Sequence, residues 1–250
     1  MRIRAFVVPG ASSRPAGHRP VTGILDVLAS ARPQPAAPLG YCRGMTEPFL
    51  PDSLALAIGC HHDGPGLADL ARRRLPTMPH LHDEELWSTT YRFGPGFHPR
   101  DRYFPVLREQ GSDSRDEHVV AFAWVDAALD EQAGVAEPWW CLNAIAVADE
   151  RSGAGLGSYL VRKVVEQARA AGVSTLYGQT PPEAAGFWDR LGFRVGGVDE
   201  MLASDRLVTL ADGRTLRPVV TPEPGHQFFV LNGLQGQTGA PRLLPAHYEA

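Results

Sequence analysis

The sequence predicts an α/β fold, and three observations carry that expectation. Trp139–Val147 is an almost unbroken apolar run of the length of a strand buried on both faces. Leu156, Leu160, Val164, Ala168 and Ala171 then recur at helical spacing, with Gly172 as the stop. Between the two lie Gly153, Gly155 and Gly157, so the chain passes from strand to helix through residues without side chains.

The other elements follow in order. The first 44 residues are rich in Pro, Ala, Ser and Arg, with no acidic residue before Asp26. Within them only 2–8 (strand-like) and 21–29 (helix-like) carry an apolar pattern. That is too little apolar surface for a core, so 1–52 is expected to be an irregular extension, dispensable up to Met45. Translation upstream of a start at Met45 and an Arg-rich transit segment are the alternatives for it. Leu54–Ile58 predicts a strand, the turn residues Asp63-Gly64-Pro65-Gly66 follow, and 67–75 and Glu84–Thr90 predict two short helices. Residues 102–107 and 118–125 read as strands around a polar turn, and 127–138 as a polar connection. After the central helix, 173–177 predicts a strand. Pro181-Pro182 opens the next helix, which Gly192 ends, and 193–198 is a further strand. Asp212-Gly213 between two alternating runs predicts a hairpin over 206–220, before a last strand at 226–231. Residues 233–250 form a Gly/Pro-punctuated tail.

Composition narrows the function. Of 250 residues, 44% are hydrophobic and 21% charged, which is ordinary for a soluble globular chain. A net charge of -4 argues against a nucleic-acid-binding surface as the main function. No apolar run is long enough to cross a bilayer, so no membrane role is expected. Cys42, Cys60 and Cys141 are odd in number and widely spaced, which suits free thiols in a reducing cytoplasm.

The glycine loop carries the chemistry. Glycines let a ligand approach the main chain, and a helix start presents unpaired N–H groups with a favourable dipole. Together these suit a phosphate or pyrophosphate. A Walker loop is excluded because the only lysine, Lys163, lies beyond the loop. A dinucleotide fingerprint is excluded because its last glycine would fall on Ser158 or Leu160.

Two segments together resemble a known family. Ser152-Gly153-Ala154-Gly155-Leu156-Gly157 is similar to the Gln/Arg-x-x-Gly-x-Gly/Ala signature of the GCN5-related N-acetyltransferase (GNAT) superfamily. The run from Ala184 through Trp188 to Leu191-Gly192-Phe193 looks like that family's helix ending in Leu-Gly-Phe. The resemblance is strongest over about fifty residues and extends plausibly over 53–232. It implies a mixed, mostly antiparallel central sheet flanked by helices, with the hairpin near 206–220 as an insertion. It also implies that two strands, Trp139–Val147 and the one after the central helix, splay apart to admit the pantetheine arm of acetyl-CoA. Main-chain groups of Ile145 and Val147 would bind the arm. N–H groups of Gly153, Ala154, Gly155, Leu156, Gly157 and Ser158 would bind the pyrophosphate. The reaction implied is direct attack of an amine on the thioester, here that of a small-molecule amine. A noncatalytic acyl-CoA-binding module and a peptide-modifying enzyme are the rival readings. Oligomeric state is not legible.

The sequence departs from the family pattern at three places. Ser152 stands where Gln or Arg is usual, and Arg151, one residue earlier, is a candidate substitute at the phosphates. Trp188 stands where many members hold a tyrosine that protonates the leaving thiolate; an indole is a donor but no acid near neutrality. Cys141 and Asn143 occupy positions where many members hold the general base. Asn143 can orient an amine or water without taking its proton, and Cys141 is either a tuned thiol or a core residue. Tyr91, Arg92 and Trp140, with Trp139, Phe93 and Phe97, are candidates for an acceptor pocket; core packing explains such aromatics equally well. Cys60-His61-His62-Asp63 and His80-x-His82-Asp83 hold metal-capable side chains without a recognised zinc spacing, so no metal is expected.

Overall fold

The computed structural model describes residues 2–7, 50–90, 102–109, 118–126, 139–204, 207–209, 215–234 and 241–245. The strands are β1 (Arg2–Val7), β2 (Leu54–Ile58), β3 (Arg102–Tyr103), β4 (Pro105–Glu109), β5 (His118–Asp126), β6 (Trp139–Val147), β7 (Thr175–Thr180), β8 (Arg194–Val195), β9 (Met201–Ala203), β10 (Val208–Thr209), β11 (Thr215–Thr221), β12 (Gln227–Asn232) and β13 (Arg242–Leu244). The helices are α1 (Gly64–Arg74), α2 (Glu84–Thr90), α3 (Leu156–Ala170) and α4 (Ala185–Arg190).

The main sheet has the order β2-β4-β5-β6-β7-β12-β8, with β3 also on β5. Every pairing in it is antiparallel except β6 with β7, which is parallel. This is the mixed, mostly antiparallel sheet that the resemblance implied. The parallel pair needs a crossover, and α3 supplies it. Leu156, Leu160, Val161, Val164, Val165 and Ala168 bury one face of α3. α3 packs on β4, β5 and β6, and α1 packs on β5 and β6. α1 opens with Pro65 in its first turn and ends on Arg72, Arg73 and Arg74, three cations that complement its C-terminal dipole. Trp87 of α2 stacks on Phe104 and meets Phe122 and Trp124 edge-on, which fixes α2 over the sheet.

A second sheet, β1-β11-β9-β13 with β10 on β11, packs on the opposite side of the β6–β7–β12 region. Its Leu202, Val220 and Leu243 meet Trp139, Cys141, Tyr177, Phe228 and Val230 of the main sheet. β10 and β11 pair antiparallel within the span 206–220 expected as a hairpin, whose turn residues Asp212-Gly213 lie outside the described residues. The apolar pattern at the start of the extension is β1, which pairs with β11 from Arg2 opposite Thr221 to Val7 opposite Leu216. β9 and β13 had no sequence signal, because three residues are too few to show a period.

Boundaries move where tertiary pairing outweighs local pattern. The strand expected over 173–177 is displaced to Thr175–Thr180: the Val173 N–H closes α3 on the Ala168 carbonyl, and β12 pairs with β7 through Thr180. The strand expected over 193–198 shrinks to Arg194–Val195, since Phe193 turns into the core and Gly196-Gly197 break the run. The strand expected over 102–107 is interrupted at Phe104 and continues to Glu109.

Candidate active site

β6 and β7 pair at only three positions, Trp139 with Thr175, Trp140 with Leu176 and Cys141 with Tyr177. Beyond Tyr177, β7 stays paired to β12 alone, and the β6 edge from Leu142 to Val147 loses its neighbour. Gly178 stands at the divergence. A β-carbon there would lie 2.3 Å from the Phe229 ring and 2.6 Å from the Leu142 carbonyl oxygen, so only glycine fits where the strands part. The resulting cleft holds about 530 Å³ and is lined by Leu142, Asn143, Ala144 and Ile145 on one side and Gln179, Thr180, Phe187 and Phe229 on the other. Its main-chain edge can pair with an extended, amide-bearing ligand as a strand would.

The glycine loop stands between that cleft's β6 wall and α3. Gly153 and Gly155 take φ of +79° and +81°, the left-handed region that side chains resist. Gly155 is the N-cap of α3 and has no side chain to close the helix end. The N–H groups of Leu156, Gly157 and Ser158 begin the helix and have no acceptor one turn earlier. Free donors at the start of a fifteen-residue helix suit an anion. Both parts of the arrangement, a strand-like edge and a phosphate nest, fit an acyl-pantetheine carried on a pyrophosphate.

At the other end of the cleft the sheet carries a β-bulge. Val125 pairs with Leu142 and Trp124 with Ala144, so Asn143 is the extra residue on β6. The bulge re-aims Asn143, whose Nδ2 donates to Asp126 Oδ2 at 2.9 Å. A recess of about 160 Å³ opens here, lined by His80, Trp124, Asp126, Asn143, Gln179 and Glu223 among others. Asp126 and Glu223 were missed from sequence. Asp126 ends β5 opposite Cys141, a register that only the folded sheet reveals.

The other sequence candidates divide. Cys141 lines the recess but is 4% exposed. Burial pushes its thiol up to about 12, with the Tyr177 hydroxyl opposing and Asp126 adding to the rise. It keeps its proton at neutral pH and is no base; the core reading of Cys141 is the one its environment supports. Burial likewise holds Tyr177 well above the usual phenol range. Trp188 is 4% exposed, lies flat on Phe229 at 3.6 Å between ring centroids, and donates its indole N–H to Thr180 Oγ1 at 3.1 Å. It walls the cleft with its donor already committed.

Trp140 is 1% exposed and stacks on Tyr103 within the main core, away from both cavities, so it is a packing residue and not an acceptor contact. Arg151, the candidate substitute at the phosphates, is ion-paired with Glu109. Ser152 and Ala154 are exposed on the loop. Ile145 lines the cleft; Val147, on the same strand, lies against Gly157. Tyr91, Arg92, Phe93 and Phe97 lie outside the described residues. Asp63 accepts two hydrogen bonds from Arg108 at 2.9 Å and one from the Cys60 N–H at 2.7 Å, a structural brace. His82 meets the Leu75 carbonyl at 3.0 Å, and His80 sits on the cleft rim.

The comparisons agree with this geometry. The family model described as "Acetyltransferase (GNAT) family" matches residues 67–193, just over half of the chain. Among solved structures, NAA60 of Arabidopsis thaliana in complex with a bisubstrate analogue superposes with a TM-score of 0.50 at 14% identity, covering 72% of this chain and 97% of that one. The same protein in complex with acetyl-CoA gives 0.48 at 13% identity, covering 72% and 98%. The ribosomal-protein-S18-alanine N-acetyltransferase of Escherichia coli gives 0.45 at 18% identity, covering 72% and 93%. At such identities a structural likeness speaks to the fold alone; the family rests on the sequence model, which spans α1 through Phe193 and includes both motifs and the splayed strands. The chain belongs to the acetyltransferase (GNAT) family, whose acyl donor is acetyl-CoA.

Proposed function

We propose that this protein moves the acetyl group of acetyl-CoA to a primary amine of a small molecule by direct attack. The observation that carries the reading is the Asn143 bulge, which sets an amide–carboxylate pair, Asn143 with Asp126, where the cleft meets a small recess. Residues 153–158 would hold the pyrophosphate and the β6 edge at Ile145 and Val147 the pantetheine arm. The bound donor supplies an activated thioester carbonyl. The amine nitrogen attacks that carbon, the carbon–sulfur bond breaks, and the amine's surplus proton passes to Asp126 directly or through one water. Asn143, held by Asp126, orients the amine, and a main-chain N–H of the unpaired β6 edge faces the developing oxyanion. Solvent protonates the departing thiolate, because Trp188 is no acid and its N–H is engaged by Thr180.

A recess of about 160 Å³ suits a compact acceptor better than a peptide chain, which favours the small-molecule reading. Among the described residues no helix is long and apolar enough to cross a membrane. Cys60 and Cys141 are free thiols there, as suits a reducing cytoplasm. The test is thiol release from acetyl-CoA with a panel of small amines and of peptides with free N-termini. Release with small amines supports the reading. Release with peptides alone points to a protein-modifying enzyme, and tight CoA binding without any release to a noncatalytic binding module.

A further inference from the structure

We infer that Arg74, at the end of α1, is a ligand of the cofactor's pyrophosphate and passes to it from Asp149. The inference rests on the reading that residues 153–158 hold the pyrophosphate, and adds a cation from a separate element. Ser152-Gly153-Ala154-Gly155-Leu156-Gly157-Ser158 contains no charged side chain, and Asp149 and Glu150 stand just before it. Main-chain N–H groups carry only partial charges. A pyrophosphate held there would meet two nearby carboxylates with no full positive charge from the loop. Three arginines stand at that approach: Arg73 pairs with Glu150 at 3.8 Å, Arg74 with Asp149, and Arg151 with Glu109. Of the three, only Arg74 also lines the cleft.

The fold sets the place of Arg74. The Leu75 N–H closes α1 on the Ala71 carbonyl at 2.8 Å, and Leu75 lines the cleft as well, so the helix end delivers residue 74 to the cleft rim. Asp149 is tied into the approach to the loop, its carbonyl accepting the Ser152 N–H at 3.0 Å. On the α3 side of the loop, a β-carbon at Gly157 would stand 3.6 Å from Phe187, another cleft residue. The guanidinium therefore lies where the cleft meets the loop, on the path from pantetheine to pyrophosphate. Its partner there is weakly held: the Asp149 side chain is 64% exposed, against 26% for the Glu109 that holds Arg151. An exposed ion pair is easily exchanged, and phosphate oxygens match the planar fork of a guanidinium. Arg74 takes the phosphate while Asp149 turns to water.

The experiment measures affinity by calorimetry for CoA, for dephospho-CoA, which lacks only the 3′-phosphate, and for pantetheine, which lacks the pyrophosphate and the nucleoside. Arg74→Gln should weaken CoA and dephospho-CoA alike, about tenfold, and leave pantetheine as in the parent. Arg74→Lys should recover part of the loss. Asp149→Asn breaks the same ion pair from its other side and should hold or raise CoA affinity. A loss in Asp149→Asn equal to that in Arg74→Gln would mean that the pair merely braces the loop, and would overturn the inference. Arg72→Gln, on the same helix and paired with Asp69, should bind CoA as the parent does, which separates a contact from a change in net charge. Unchanged CoA affinity in Arg74→Gln, or a loss seen with CoA but not with dephospho-CoA, would overturn the inference while Gly155→Glu still weakens binding. Unchanged affinity in a folded Gly155→Glu would overturn the loop reading and this inference together.

Discussion

The two ends of the cleft are built from different materials. Around residues 153–158 the protein offers main-chain N–H groups, contributed by one continuous loop and the first turn of α3. At the bulge it offers side chains from separate segments: Asp126 from β5, Asn143 from β6, Gln179 from β7 and Glu223 from the β11–β12 turn. The proposed donor end depends on conformation, which would let Ser152 stand in place of a longer polar side chain. The acceptor end depends on which side chains meet, so single substitutions there should alter the reaction without altering cofactor binding.

That contrast can be broken experimentally. Asp126→Asn should lower kcat/KM for the amine by about 100- to 10,000-fold, the span expected for loss of a positioned proton acceptor. Its acetyl-CoA affinity by calorimetry should stay within about twofold. A parallel loss of affinity would mean the two ends are not separable. Gly155→Glu should do the reverse, weakening acetyl-CoA binding about 100-fold. The left-handed φ of +81° resists any side chain, at about 1–2 kcal/mol, and the new charge opposes the pyrophosphate. Unchanged affinity in a folded variant would remove the loop from the cofactor site.

Trp188 sharpens the contrast from the structural side. Trp188→Ala should destabilise the fold by about 3–5 kcal/mol, as loss of a buried ring does. Trp188→Phe should cost about 1 kcal/mol, for the bond to Thr180, with kcat close to the parent's. A large fall in kcat for the Phe variant would give the indole N–H a chemical role. Cys141 should give the smallest kinetic effect. Cys141→Ala should acetylate at the parent rate at pH 8, yet change the response to alkali. A thiol raised from 9.0 to about 12 on folding stabilises the fold fully below pH 9 and loses that contribution as pH climbs towards 12. The loss is on the order of 4 kcal/mol at its limit. Thermal melts of the parent should decline over that range, and the variant should decline less; identical slopes would mean that the thiol ionises freely in the fold.

The same contrast explains what the sequence disclosed. Gly153 and Gly155 were legible because a left-handed backbone beside a helix start leaves a local signature, and both flanking elements have strong periodicity. The α3 stripe and the β6 run marked the strand–loop–helix unit, the family resemblance implied that β6 and β7 splay apart, and Asp212-Gly213 signalled a hairpin over 206–220. Asp126 and Glu223 were not legible, because nothing near them in sequence marks them; a bulge at Asn143 and a turn between two sheets bring them to one recess. The same logic misassigned Trp140, since an aromatic beside a motif reads alike whether it faces a ligand or Tyr103. β9 and β13 escaped because short strands are defined by their partners.

The most direct test is a crystal structure with a CoA–amine bisubstrate analogue. The pyrophosphate should accept hydrogen bonds from N–H groups within residues 153–158, the pantetheine should run along the β6 edge, and the amine-derived nitrogen should sit between Asn143 and Asp126. A CoA moiety outside the β6–β7 gap, or an acceptor nitrogen surrounded by other side chains, would contradict the account.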